Sequence, residues 1–247
     1  LLTLISVKIN DQKLDKSQYN LTKEHLTIEK LDQKFILTIE NSICPEKNTA
    51  LTGLYCSNKL YCTQCESHGF RRITYYLDRP DVMSVFTTKI IADKALCPVL
   101  LSNGNCIEKG ELKDNKHFAI WKDPFKKPSY LFALVAGDLA SLKDTYITKS
   151  GKEVSLELYS EHNLISQCHY GIEALKDSMK WDEDTFGREY DLDIYMIVAV
   201  SDFNMGAMEN KGLNVFNTKY VLADKNTATD QDYINVQAVI AHEYFHN

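Results

Sequence analysis

The sequence has 247 residues, 44% of them hydrophobic and 25% charged, enough to bury one large core or two medium ones. Its formal net charge of -6 argues against a nucleic-acid partner, whose phosphates favour a basic surface. No apolar run approaches the roughly 20 residues of a membrane span, so DNA- or RNA-binding and membrane-spanning functions are set aside.

The chain opens on Leu1-Leu2-Thr3-Leu4-Ile5-Ser6-Val7-Lys8, which alternates like a strand and lacks the charged, apolar and cleavage regions of a signal peptide. The start therefore resembles an internal cut. β-Branched and aromatic runs at Phe35–Ile39, Ile73–Leu77, Val85–Ile91 and Tyr130–Ala136 predict strands. Turn residues at Ser102-Asn103-Gly104-Asn105 and Lys122–Pro128 separate them. Close-spaced strands predict a β sheet or sandwich for the first half. A hairpin is expected around Ser150-Gly151, between Tyr146–Thr148 and Val154–Leu158.

The hydrophobic period then changes. Leu164, Cys168, Ile172, Leu175 and Met179 recur at steps of three and four, predicting a helix to about Trp181, with Gly187 shortly after. Ile194–Val200 is a continuous apolar run of strand length, as for a strand buried on both faces. Thr229 or Asp230 offers an N-cap for a last helix, with Asp232 in its first turn. The pattern divides into a β-rich domain, residues 1–138, and the start of an α/β domain, residues 139–247.

Seven cysteines, spread over a long chain, do not make a disulfide scaffold and suit a reducing, cytoplasmic setting. Cys56, Cys62, Cys65 and His68 form the one dense group. A structural zinc or redox module there is an alternative, although a zinc ribbon wants two tight pairs at wider separation.

The last helix carries His242-Glu243-Tyr244-Phe245-His246, the H-E-x-x-H pattern of zinc peptidases. One helical turn, about 6 Å of rise, places both imidazoles on one face, within reach of one zinc ion. Glu243, turned about 100° from His242, borders that face and is placed to accept a proton from the water that such an ion activates. Catalytic zinc sites of this kind take a third protein ligand.

Upstream lies Gly206-Ala207-Met208-Glu209-Asn210. With this pentapeptide preceding His242–His246, the sequence resembles the aminopeptidase N family of zinc metallopeptidases. Gly69-Phe70-Arg71-Arg72-Ile73-Thr74-Tyr75-Tyr76-Leu77-Asp78-Arg79-Pro80-Asp81-Val82 is similar to the bacterial branch, so the likeness covers nearly the whole chain.

The resemblance implies a β-rich, saddle-like N-terminal domain followed by the start of a thermolysin-like α/β catalytic domain. It implies one Zn2+ held by His242 and His246, Glu243 as general base, and peptide substrates with a free N-terminus. Glu209 and Glu66 would bind the substrate α-ammonium beside Gln64. Gly206 and Ala207 would guide the extended backbone, Met205 would line the first side-chain pocket, and Met208 and Asn210 complete the substrate-binding motif. A fixed carboxylate suits this role because a charge-assisted hydrogen bond to an ammonium both orients and selects. In the family the third zinc ligand is a glutamate on a later helix, here beyond Asn247. The chain by itself is therefore expected to be inert. A non-catalytic binding module on a degenerate peptidase fold, and an epoxide hydrolase of the same family, are the other readings.

Overall fold

The computed structural model describes residues 2–29 and 31–247. The N-terminal half comprises small antiparallel sheets. β1 (Thr3–Ile9) pairs with β2 (Gln12–Lys13); β3 (Tyr19–Leu21) and β4 (Leu26–Ile28) form a separate hairpin; β5 (Leu37–Ser42) closes the other edge of β1. β6 (Gly53–Ser57) and β7 (Leu60–Gln64) follow, then β8 (Ser84–Asp93), β9 (Val99–Ser102), β10 (Asn105–Glu111), β11 (Lys116–Lys127) and β12 (Leu134–Gly137). They assemble as β6-β7-β12-β9 and β10-β11-β8.

The second half is built on a five-stranded sheet ordered β13-β14-β15-β17-β16. Its elements are β13 (Ala140–Ile147), β14 (Glu153–Ser160), helix α1 (His169–Phe186), β15 (Ile194–Val200), β16 (Ala207–Met208), β17 (Leu213–Asn217) and helix α2 (Asp230–Phe245). β14, β15 and β17 run parallel, with α1 connecting the first two; β13 and β16 are the antiparallel edges. A β-rich N-terminal region followed by the start of an α/β catalytic unit is the architecture expected from the sequence.

β15 explains why its sequence is continuously apolar. Met196, Val198 and Val200 enter a core shared with Tyr55, Leu101, Trp121 and Val135 of the β-rich half. Tyr195, Ile197 and Ala199 point the other way, into a core with Ile172, Leu175 and Met179 of α1 and Val236, Ile240 and Tyr244 of α2. Alternate side chains of one strand thus serve two cores, and no position is left for a polar residue.

Several local expectations change. Ile73–Leu77 is not a strand: it follows a 3-10 turn at Phe70–Arg72, and Asn41 takes the place of a neighbouring strand, donating to the Ile73 carbonyl (2.9 Å) and accepting from Thr74 (2.8 Å). Tyr76 turns inward, its ring edge-on to Phe70 at 5.0 Å. Lys122–Pro128 is not a turn over most of its length, since β11 runs on to Lys127. Its register shifts between Asp123 and Lys127, and such an irregularity is where a strand tolerates Pro124. β5 starts at Leu37 rather than Phe35, and Tyr130–Ala136 is a 3-10 turn ending at Leu131 followed by β12. α1 begins at His169, after a 3-10 turn over Ile165–Gln167, and extends to Phe186, where Gly187 adopts φ 65° and closes it. The hairpin at Ser150-Gly151 and the strand at Ile194–Val200 form as expected.

Candidate active site

α2 presents the two histidines. Thr229 caps the helix in a reciprocal capping box with Asp232: the Thr229 amide donates to the Asp232 carboxylate (2.8 Å) and the Asp232 amide to the Thr229 hydroxyl (3.3 Å). Val236, Ile240 and Tyr244, four apart, form its buried stripe. That rotation leaves His242 and His246 exposed, while Glu243 is 5% exposed. The two imidazole Nε2 atoms lie 3.1 Å apart. Two nitrogens bound tetrahedrally to one zinc at ordinary bond lengths lie about 3.3 Å apart, so the donor pair fits that ion.

The pentapeptide Gly206–Asn210 lies at the sheet edge beside this helix. Ala207 and Met208 form β16, paired with Phe216 and Val215 of β17, and the Asn217 amide donates to the Gly206 carbonyl at 2.9 Å. A Cβ on Gly206 would meet only the Tyr220 ring, at ordinary contact distance of 3.4 Å. Among the described residues nothing demands glycine there. Met208 is fully buried beneath the strand, and Met205 is 39% exposed. Asn210 is buried, and both atoms of its side-chain amide lack a hydrogen-bond partner among the described residues.

Gln64 and Glu66 arrive from the other half of the molecule. Gln64 ends β7 and is buried; its side-chain amide donates to the Glu66 carbonyl (3.2 Å) and contacts the Met205 sulfur (3.0 Å). Its Oε1 is buried without a partner. The loop after it folds back tightly: the Gly69 amide donates to the Cys65 carbonyl (2.8 Å), and a Cβ on Gly69 would lie 2.3 Å from the Gln64 carbonyl oxygen. Glycine at 69 is therefore what lets Glu66 project from the bend.

The result is a convergence of carboxylates. Ligating atoms of Glu209, Glu243 and His246 lie within 4.8 Å of one another. Burial, together with the charges of Glu209 and Glu66, pushes Glu243 up to about 7. Burial and Glu209 also raise Glu66, opposed by His246. The structure thus brings Glu66, Glu209, Glu243, His242 and His246 to one place, with Gln64 and Met205 in contact at its side. It adds Tyr130, which the sequence reading missed: burial, Glu209 and Glu66 raise its phenol. Only tertiary structure brings Tyr130 here, and no local motif marks it.

The Cys56, Cys62, Cys65 and His68 group does not come together. Cys62 packs in the main core and Cys65 in a separate cluster with Phe70 and Phe132. Among the described residues no metal-ligand group includes any of the four. Burial pushes the Cys62 thiol up to about 12, making it a packing group.

Residues 2–131 match the Peptidase M1 N-terminal domain and residues 170–247 the Peptidase family M1 domain. The chain is 59% identical to Aminopeptidase N of Escherichia coli (strain K12), over all of this chain and 28% of that protein. It is 57% identical to Aminopeptidase N of Haemophilus influenzae, over 98% of this chain and 28% of that protein. Among solved structures, Legionella pneumophila aminopeptidase A in complex with aspartic acid matches with a TM-score of 0.95 at 42% identity, over 99% of this chain and 29% of that one. The chain therefore spans less than a third of the length of these relatives.

Proposed function

The chain belongs to peptidase family M1, and we propose that it supplies the amine-recognition groups, the general base and two metal ligands of a zinc-dependent aminopeptidase. The observation that carries this reading is the meeting of Glu66, Glu209 and Glu243 beside His246. Unpaired carboxylates brought together repel one another, and they suit a site that receives positive charge. His242 and His246 would hold zinc, which when bound lowers the pKa of a water molecule and polarises the scissile carbonyl. Glu243 takes the proton of the attacking water and returns it to the leaving amine. Glu209 and Glu66 hold the α-ammonium, with the buried, unpartnered Gln64 Oε1 beside them as a further acceptor. The open edge of β16 at Gly206 and Ala207 receives the extended substrate backbone, Met205 borders the first side chain, and Met208 and Asn210 support the strand from below. Holding the ammonium in register favours release of single N-terminal residues over internal cleavage.

The division falls at residues 138 and 139, with 1–138 as the β-rich domain. Seven free thiols fit a cytoplasmic setting; no helix among the described residues is long and apolar enough to cross a membrane.

The test is a chimaera in which this chain replaces the matching segment of the Escherichia coli relative. Glu209→Gln there should raise KM for amino-acid amides roughly tenfold or more, the scale of a charge-assisted hydrogen bond, at unchanged zinc content. Unchanged kinetics would remove Glu209 from amine recognition. The 247-residue chain alone, in which the described carboxylates beside the imidazoles are the proposed base and amine anchor, should bind zinc weakly and turn over no substrate. Chelator-sensitive hydrolysis by the purified chain would overturn that.

A further inference from the structure

Beside Glu66 lies a cavity of about 200 Å3 lined by Glu66, Ser67, His68, Asp78, Arg79, Pro80, Ser129 and Tyr130. None of the residues assigned above to zinc or to catalysis lines it, and Glu66 and Tyr130 belong to both places. The charges around it are not equivalent. Asp78 is 5% exposed and fully engaged: its carboxylate accepts from the Arg71 amide (3.0 Å), the Arg71 guanidinium (3.2 Å) and the Ser129 hydroxyl (2.5 Å). Arg79 is spent on Asp81 through two contacts of 3.0 and 2.9 Å. Among the described residues Glu66 is left as the one lining carboxylate without a salt-bridge partner, and Ser67, His68 and Tyr130 add a hydroxyl, an imidazole and a phenol to the lining.

We propose that this cavity is a second cation site, for a small primary ammonium, which shares Glu66 with the amine anchor. An ammonium has one charge and three N–H donors. The cavity offers one unpaired carboxylate and, around it, a phenol, a hydroxyl and an imidazole. A hard metal cation would instead require about six oxygen ligands, which these residues do not provide. The Tyr130 ring and Pro80 supply apolar surface for a short carbon tail, and the ring face attracts a cation. Because Glu66 serves both places, an amine here draws it away from a peptide N-terminus; this consequence, but not the site itself, rests on the function proposed above.

The experiment follows the ring carbons of Tyr130 by NMR in the 247-residue chain, the signal being assigned by its loss in Tyr130→Phe. Methylammonium chloride is titrated against sodium chloride and tetramethylammonium chloride at constant ionic strength. Methylammonium should produce a saturable shift that the other two salts do not. The double variant Ser67→Ala, His68→Ala, at exposed loop positions, should weaken it at least fivefold while leaving the rest of the spectrum in place. Glu209→Gln should keep the methylammonium shift but lose binding of L-alaninamide. No saturable shift, an equal response to sodium or tetramethylammonium, undiminished affinity in the double variant, or loss of the shift in Glu209→Gln would each overturn the cavity site. Retained alaninamide binding in Glu209→Gln would instead remove the amine-anchor reading and leave the cavity standing.

Discussion

Glu243 is held between competing demands: it is almost wholly buried, it faces two other carboxylates, and it follows directly on His242, one of the two proposed metal ligands. The first two effects raise its pKa to about 7, and a cation beside it would act in the opposite direction. A carboxylate poised by such opposing terms suits proton transfer in both directions near neutrality. In the chimaera, Glu243→Gln should lower kcat by roughly 10²–10⁴, the usual contribution of general acid–base catalysis. Zinc content, measured by atomic absorption, should stay the same; parallel loss of metal would make Glu243 a supporting residue instead. The three residues on α2 were legible because helical spacing fixes His242 against His246, and Glu209 because the five adjacent residues Gly206–Asn210 carry the family resemblance. Glu66 was legible only by resemblance, since its role requires β7 and α2 to meet, and Tyr130 was not legible at all. Its partners lie more than sixty residues away in either direction along the chain, and proximity of that kind leaves no pattern in sequence.

At the level of elements, α2 depends on a cap that is itself pH-sensitive. The hydrogen bonds from the Thr229 amide and hydroxyl hold Asp232 below the usual carboxylate range. A depressed folded-state pKa contributes stability above the unfolded value near 4, and that contribution is lost as pH falls through the folded value. Thr229→Ala should therefore cost about 1 kcal/mol at neutral pH, measured by urea unfolding, and the difference from wild type should shrink below about pH 4. A pH-independent difference would mean that the Thr229 hydroxyl acts only as acceptor of the Asp232 amide and not as donor to its carboxylate. Element types were readable where one period ran without competition, as in the apolar β15, the Leu164–Met179 stripe and the Ser150-Gly151 hairpin. They were misread where side chains replaced backbone pairing or a bulge absorbed a proline. Asn41 satisfies the Ile73 carbonyl from a distant strand, and β11 carries Pro124 across its register shift. Both outcomes are decided by partners remote in sequence, which propensity does not register.

At the scale of the whole molecule, the two halves share a core instead of merely adjoining. β15 sends Met196, Val198 and Val200 into the β-rich half and Tyr195, Ile197 and Ala199 toward the helices. Polar links reinforce the seam: Tyr55 and Ser57 donate to Asp202 at 3.0 and 2.7 Å, and the buried Asn103 amide donates to the Lys211 carbonyl at 2.8 Å, next to Gly206–Asn210. These same contacts fix Gln64 and Glu66 relative to α2, so the candidate site is only as rigid as the seam. The chain should accordingly unfold in a single transition. Its two tryptophans report on opposite sides, Trp121 on β11 within the shared core and Trp181 on α1. With fluorinated tryptophan, the two 19F signals of one sample should lose intensity at the same urea concentration. Met196→Ala, cutting a fully buried side chain on the β-rich face, should cost about 2–5 kcal/mol and lower both midpoints equally, although Trp181 lies across the sheet. Separate midpoints, or a shift confined to Trp121, would show that the halves fold independently and that the carboxylate cluster is assembled from two mobile parts.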